Sequence, residues 1–229
     1  MTDRIILDDI PFEPELENWA KALRIKPDSG YYQNFVTIVA EAVKVARPKA
    51  LYAIAFVEGR GETHVEAGGQ RFDSRILSVN LEKANRIFPF VATCGREMEE
   101  WGEQYTDLLQ RFWAESIMEF SLKAVRSFLW DHFAATLALD KISFMSPGSL
   151  EDWPLDQQKP LFEILGDTEK SVGIRLTDSF LMRPIKSISG IIFPTEESFQ
   201  SCMLCPKEKC PGRRAKYDPD MYERKYKHE

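Results

Sequence analysis

The sequence lacks a long hydrophobic run, an excess of basic residues and an apolar leader. No stretch of about 18 apolar residues occurs, so no membrane-spanning helix is expected. The 30 Lys and Arg face 36 Asp and Glu, and the net charge of −6 argues against a nucleic-acid partner, which needs a basic footprint. Residues 1–4 continue into acidic residues, so no secretory signal is expected and the predicted location is the cytoplasm.

The short motifs of several common enzyme classes are also missing. There is no GxSxG nucleophile elbow, no phosphate-binding loop, no HExxH and no glycine-rich dinucleotide fingerprint. The acidic run at residues 97–103 is interpreted as a solvated helix face rather than as paired acid–base chemistry. The sequence therefore assigns no catalytic residue.

What is present is typical of a soluble globular protein, with 44% hydrophobic and 29% charged residues. A chain of this length buries roughly 70–75% of its unfolded surface, so it needs no disulfide or metal merely to fold. Changes in composition predict three parts. Residues 1–48 form an N-terminal helical arm, residues 49–194 an α+β core, and residues 195–229 a basic tail that contains cysteines.

Hydrophobic periodicity predicts the elements of this core. Apolar residues recur every three or four positions over residues 31–46 and again over residues 95–139, which is typical of amphipathic helices. The second of these regions is expected to break near residues 105–108. Residues 51–57, 87–92 and 187–193 are apolar runs of strand length, and Pro89 places the middle one at a sheet edge or a bulge. Strands interspersed with unequal helices indicate an α+β fold.

Three of the four cysteines lie close together near the C-terminus. Cys202, Cys205 and Cys210 have the spacing CxxC followed by xxxxCP, and both zinc and iron–sulfur clusters accept thiolates arranged in this way. Either centre usually needs a fourth ligand. The candidates are Cys94, His64, His132, His228, water or a substrate. Free surface thiols and a redox disulfide are the alternatives that the spacing leaves open.

The second half of the chain carries an ordered series of segments rather than one short motif. The series is FMSPG at 144–148, DWPLDQQ at 152–158, LFEIL at 161–165, GIRLTDSFLM at 173–182 and PIKSISG at 184–190. This series resembles the activation (reactivation) domain of cobalamin-dependent methionine synthase, and particularly the free-standing proteins similar to it. The resemblance covers roughly residues 51–193 and is strongest over residues 146–190.

The resemblance implies an α+β fold with a twisted, mainly antiparallel sheet and flanking helices. It implies docking onto a cobalamin-carrying module, with an electron donor as a further partner. The family domain binds S-adenosylmethionine, whose methyl group traps the reduced cobalt, so the chemistry belongs to the cofactor. A DxHxxG-type cobalamin loop is absent here, so the cobalamin is expected on a separate protein.

The residues that would bind S-adenosylmethionine are only partly retained. Ser146, Pro147 and Gly148 align with the ligand loop of the family. Phe144 stands where the family has an arginine and Ser149 where it has a tyrosine, and Lys123 takes the place of a glutamate. Three such departures argue against ordinary S-adenosylmethionine binding.

Three functional hypotheses follow. The first is an accessory protein for reductive reactivation of a corrinoid methyltransferase or methionine synthase, in which a cysteine-bound metal relays electrons. The second is a non-enzymatic docking module for a corrinoid protein, stiffened by structural zinc. The third is an S-adenosylmethionine-binding protein that donates a methyl group to cobalt.

Overall fold

The computed structural model describes residues 3–137, 141–210 and 212–227. The strands are β1 (Arg4–Leu7), β2 (Lys49–Ala53), β3 (Ala55–Arg60), β4 (His64–Ala67), β5 (Gln70–Asp73), β6 (Arg86–Thr93), β7 (Ile142–Met145), β8 (Arg175–Leu176), β9 (Met182–Arg183) and β10 (Ser187–Pro194). The α-helices are α1 (Leu16–Ala22), α2 (Tyr32–Val45), α3 (Arg75–Asn80), α4 (Arg96–Gly102), α5 (Leu108–Leu137), α6 (Gln158–Leu165), α7 (Thr168–Val172) and α8 (Met221–Lys225).

The main sheet has eight strands, and the pairs between these strands are antiparallel. The strand order is β1-β2-β6-β3-β4-β5, and β10 pairs with both β6 and β7. The strands β8 and β9 form a separate two-stranded sheet. The predicted α+β class, with an antiparallel sheet and flanking helices, is confirmed. No helix of the described ranges is both long and apolar enough to cross a membrane.

The strand that contains Pro89 is central, so of the two predicted positions, a sheet edge or a bulge, the edge was wrong. One side of β6 pairs with β10, where Pro89 faces Ile191. The other side pairs with β2 and then β3, two short strands interrupted at Ile54. Proline has no N–H to donate to a strand ladder, so the ladder of hydrogen bonds along β6 cannot be continuous at Pro89. The interruption at Ile54 lies close to this position. The single strand expected over residues 51–57 is for this reason two strands.

The helices divide the interior into three apolar clusters. The first lies between the sheet and α3, α6 and α7, and it includes Phe72 and Trp153. The second joins α1, α2, α4 and the first half of α5, around Phe35 and Trp113. The third lies between the sheet and the second half of α5, around Phe133. The helices predicted over residues 31–46 and 95–139 are confirmed as α2 and as α4 with α5, separated by residues 103–107.

Both ends of the described chain contribute to the body of the fold. Residues of the predicted helical arm form β1, which pairs with β2 from Arg4 opposite Ala53 onwards. In the C-terminal segment, Phe199 and Tyr226 are buried in the first cluster. The Tyr226 hydroxyl donates a hydrogen bond to Asn80 Oδ1 at 2.9 Å. The described residues of the C-terminal segment are therefore anchored to the core through Phe199 and Tyr226.

Candidate functional site

The predicted ligand loop, Ser146 to Gly148, follows directly after β7. Gly148 has a φ of +79°, and its N–H donates to the Trp153 carbonyl at 2.7 Å. A Cβ atom at this position would lie 2.9 Å from Leu155 Cδ1. Glycine is required here both by the left-handed backbone and by the close neighbour.

The loop also sits tightly against β10. A Cβ atom on Gly190 would lie 2.3 Å from the Met145 carbonyl oxygen and 3.0 Å from Ser146 Oγ. The first distance is shorter than any real contact between a Cβ atom and a backbone oxygen. A side chain at position 190 would therefore force one of the two backbone segments to move, at a cost in free energy. The small residue at position 190 therefore fixes the position of the loop on the sheet.

Ser146 and Pro147 line a cavity of about 410 Å³ next to this loop. Gly148 is not among the lining residues, although it shapes the loop. The remaining walls come from the start of the helical region after the loop, from the β8–β9 hairpin and from β10. They consist of Leu155, Gln158, Phe180, Leu181, Met182, Arg183, Ile185, Ser187, Ile188 and Ser189.

Most of the polar side chains on the cavity wall are engaged within the protein. Gln158 is buried. Its Nε2 donates to the Phe180 carbonyl at 2.8 Å, and its Oε1 accepts from Ser189 Oγ at 2.9 Å. Ser187 Oγ donates to the Pro184 carbonyl at 2.7 Å. These bonds satisfy the buried polar groups, so the cavity offers mainly apolar surface to an occupant.

Two exposed apolar side chains stand on the cavity wall. Leu181 is 58% exposed and Ile185 is 62% exposed. The backbone N–H of Ile185 donates to Glu99 Oε1 at 2.7 Å, which fixes this segment against α4. Both side chains line the same cavity, so exposed apolar area lies beside this concave site.

The three positions at which the sequence departs from the family pattern do not line this cavity. Phe144 is buried, and the guanidinium of Arg214 lies 4.2 Å from its ring centroid. Lys123 is exposed on α5, with Nζ 5.4 Å from the Phe120 ring centroid. Ser149 Oγ donates to the Ser146 carbonyl. All three side chains make contacts within the protein.

The four cysteines do not come together. Cys94 is buried in the second apolar cluster, and burial, with a smaller contribution from Glu99, raises the pKa of its thiol to about 12. The other three are half-buried in the C-terminal segment. In the described ranges, no group of three or more His, Cys, Asp or Glu side chains is placed to hold a metal ion. His228, one of the predicted fourth ligands, lies outside those ranges.

The cysteine segment is instead organised by an arginine. Arg213 Nη1 donates to the carbonyls of Cys202 at 3.0 Å and Ala215 at 3.2 Å. Its Nη2 donates to the carbonyls of Cys205 at 3.0 Å and of Lys207. One guanidinium thus donates hydrogen bonds to four main-chain carbonyls. The described residues hold no three-ligand group, so the metal centre predicted at Cys202, Cys205, Cys210 and Cys94 stays a prediction.

The thiol of Cys202 has a cationic and hydrogen-bonded environment. Burial acts to raise its pKa. The backbone N–H groups of Arg214 and Ala215 and the Arg214 guanidinium act in the opposite direction, and the net pKa is lowered. The Arg214 N–H lies 3.5 Å from Cys202 Sγ. Such contacts favour the thiolate.

Sequence reasoning missed two residues that shape these sites. Gln158 occupies a buried position on the same helix as Leu161 and Leu165, and a polar residue among core positions was the available signal. Arg213 lies among the basic residues of the tail, and its residue type alone does not indicate these contacts. Its role depends on main-chain directions that residue spacing does not encode.

Comparisons with known proteins agree with this architecture. Residues 149–205 match the family model described as vitamin B12 dependent methionine synthase, activation domain. The solved structure of the MetH reactivation domain bound to AdoHcy superimposes with a TM-score of 0.61 at 17% sequence identity, over 87% of this chain and 80% of that chain. A search of curated proteins found no match. Residues 149–205 are therefore similar to the methionine synthase activation domain, and the chain has the fold of the MetH reactivation domain.

Proposed function

We propose that this protein assists the reductive reactivation of a cobalamin-dependent methyltransferase or methionine synthase. It would dock on a separate polypeptide that carries the cobalamin. The observation that carries this proposal is the likeness to the MetH reactivation domain over 87% of the chain, which the family-model match at residues 149–205 supports independently. The cobalt chemistry would belong to the partner's cofactor, and this chain would hold and orient that partner.

The cavity beside the ligand loop is the proposed contact surface for the partner. Its walls between Leu155 and Ser189 lie inside the segment that the family model matches. The exposed Leu181 and Ile185 supply apolar area that burial against the partner would stabilise, at about 25 cal/mol per Å² removed from water. Gln158, held at both ends of its amide, keeps this surface in one shape.

A separate electron donor is part of this proposal. The thiols of Cys202, Cys205 and Cys210 do not form a three-ligand group in the described structure. For this reason the proposal does not include a metal relay on this chain, and neither the relay nor the structural-zinc alternative is supported by the described residues. The docking role is independent of both metal hypotheses.

A methyl-donor role with S-adenosylmethionine bound to this chain is the weaker candidate. The solved relative carries AdoHcy, but Phe144 and Lys123 stand where the family pattern has its charged ligand contacts, and both make contacts within this protein. Isothermal titration with S-adenosylmethionine decides this point, because each tenfold change in affinity corresponds to about 1.4 kcal/mol. We expect no saturable heat from the full chain alone.

The docking proposal is tested by co-elution from a sizing column. The full chain is mixed with a cobalamin-carrying methionine synthase fragment that lacks its own activation domain. We expect one complex to elute, and a weaker complex when the cobalamin is omitted. Separate elution of the two proteins with the cobalamin present would contradict the proposal.

A further inference from the structure

The two cysteines of the CxxC sequence lie at the ends of one hydrogen-bonded turn. The Cys205 N–H donates to the Cys202 carbonyl at 3.4 Å, and residues 201–203 form a short 3-10 turn. A four-residue turn closed in this way brings its first and last Cα atoms within about 7 Å. Disulfides span Cα separations of about 4.4–6.8 Å. The turn therefore places this pair near disulfide reach.

Arg213 is hydrogen-bonded to both ends of this turn. Its guanidinium donates to the carbonyls of both cysteines, at 3.0 Å each, and so ties the two ends of the turn to one rigid, planar group. A turn that is already fixed loses less conformational entropy when its two sulfurs form a disulfide bond. Both thiols are half-buried rather than enclosed, so a small reagent can reach them.

Hydrogen bonds and packing contacts attach the turn to the folded body of the protein. The Met203 carbonyl accepts a hydrogen bond from the Asp218 N–H at 2.9 Å. On the core side, the Arg214 guanidinium packs on Phe144 of β7, and the Phe199 N–H donates to Ser143 Oγ at 2.8 Å. The pair is thus presented at a defined place beside β7.

The third cysteine, Cys210, lies outside this hydrogen-bonded turn. In the described part of the chain it forms no three-ligand group with the other two, and no contact ties its backbone to the Cys202–Cys205 turn except through Arg213. The hydrogen-bonded turn therefore joins Cys202 to Cys205 and leaves Cys210 outside it.

We propose that Cys202 and Cys205 form a reversible dithiol–disulfide pair whose substrate is a low-molecular-weight disulfide. The Cys202 thiolate, which faces the Arg214 N–H, attacks one sulfur of that disulfide and displaces the other as a thiol. The Cys205 thiol then loses its proton and attacks Cys202 Sγ, which releases the second thiol. The pair loses two electrons and two protons, and the substrate gains both. This inference goes beyond the proposed docking function and does not depend on it.

The test uses the full chain, reduced and then equilibrated with mixtures of reduced and oxidised glutathione. Rapid alkylation and peptide mapping identify which thiols remain. We expect the loss of two accessible thiols as one disulfide that joins Cys202 to Cys205, with Cys210 still alkylated. The buried Cys94 is alkylated only after unfolding and so reports an intact fold.

Variants separate the roles of the two sulfurs. Cys205→Ser is expected to accumulate glutathione on Cys202, because the resolving thiol is missing. Cys210→Ser is expected to form the same disulfide as the parent chain and is the matched control. Arg213→Lys retains the charge but loses the planar contact with both carbonyls, and we expect a smaller oxidised fraction at the same glutathione ratio.

Three results would overturn the proposal. One is stoichiometric zinc or iron in the purified protein that blocks alkylation of all three tail cysteines. Another is a disulfide that includes Cys210. The third is equal alkylation of Cys202, Cys205 and Cys210 at every glutathione ratio. The first is read from metal analysis of the parent chain, so it does not require any variant to fold.

Discussion

The hydroxyl of Tyr226 donates a hydrogen bond to Asn80 Oδ1 across 146 positions of sequence, at 2.9 Å. Tyr226 is fully buried, and its ring packs edge to face with Phe199 at 6.3 Å between centroids. Asn80 is the last residue of α3. The contact joins the C-terminal segment to the first apolar cluster, so that this segment supports the same body that forms the cavity.

The first prediction concerns this anchor. Tyr226→Ala should lower the free energy of unfolding by about 3–5 kcal/mol, the cost of removing a large buried aromatic side chain. Tyr226→Phe should cost about 1 kcal/mol, because only the hydrogen bond is lost. Tyr222→Phe, at an exposed position one turn earlier, is the control. Chemical denaturation measures all three, and an unchanged midpoint for Tyr226→Ala would show that the segment is not anchored as described.

The second prediction concerns the close approach of β10 to the ligand loop. Gly190→Ala should lower the free energy of unfolding by about 3 kcal/mol, because an added methyl group meets the Met145 carbonyl in a packed site. Gly30→Ala is the matched control, since nothing lies within 4 Å of a Cβ atom there. Equal stability of the two variants would contradict the described register of β7 on β10.

The elements with a long repeating pattern were the ones that sequence could predict. The helix α2 buries Phe35, Ile38, Val39 and Ala42 at helical spacing. The break predicted near residues 105–108 is found between α4 and α5, at residues 103–107. Local patterns are sufficient there because each residue's role depends on near neighbours.

The features that sequence could not predict depend on distant partners. The strand β1 has four residues and is a strand only because β2 pairs with it. Phe199 and Tyr226 are isolated apolar residues without a period, so nothing local indicated their burial. Gln158 closes the cavity wall through partners 22 and 31 positions away. The cysteine spacing fitted several chemistries, and it did not indicate that Arg213 donates hydrogen bonds to the carbonyls of Cys202 and Cys205.

The third prediction concerns the pH dependence of stability. Burial lowers the pKa of His132 below its usual value near 6.5, and its Nε2 lies 3.0 Å from the Tyr52 hydroxyl. The unfolded chain therefore binds this proton more readily than the folded chain. The resulting stability is complete above about pH 6.5 and is lost as the pH falls below that value.

His132→Gln keeps a hydrogen-bonding group at this position but does not titrate. Its free energy of unfolding should fall less between about pH 8 and about pH 5 than that of the parent chain, which titrates in this range. Urea unfolding at several pH values gives both curves. Parallel curves for the parent and the variant would contradict the lowered pKa of the half-buried His132.

The fourth prediction concerns the partner-binding surface. Leu181→Asp and Ile185→Asp place a charge on exposed apolar positions of the cavity wall. They should change the free energy of unfolding by no more than about 0.5 kcal/mol, as most surface substitutions do. They should nevertheless weaken binding of the cobalamin-carrying partner, because a charge would be buried there without a counterpart.

Phe56→Asp is the control for that surface. Phe56 is 65% exposed on β3 and does not line the cavity. Its substitution adds the same charge at another exposed apolar site, and partner binding should be retained. If all three variants bind equally well in a titration, or all three lose binding equally, the cavity wall is not the specific contact.

The most direct measurement of the proposed function is the rate at which a partner's cob(II)alamin disappears. A cobalamin-dependent methionine synthase without its own activation domain is held in the cob(II)alamin form with a low-potential electron donor and S-adenosylmethionine, and its visible spectrum is followed. Addition of this protein should accelerate the loss of the cob(II)alamin band, whereas the Leu181→Asp variant should accelerate it less. An identical rate with and without the parent protein, under conditions in which the two proteins co-elute, would contradict a role in reactivation.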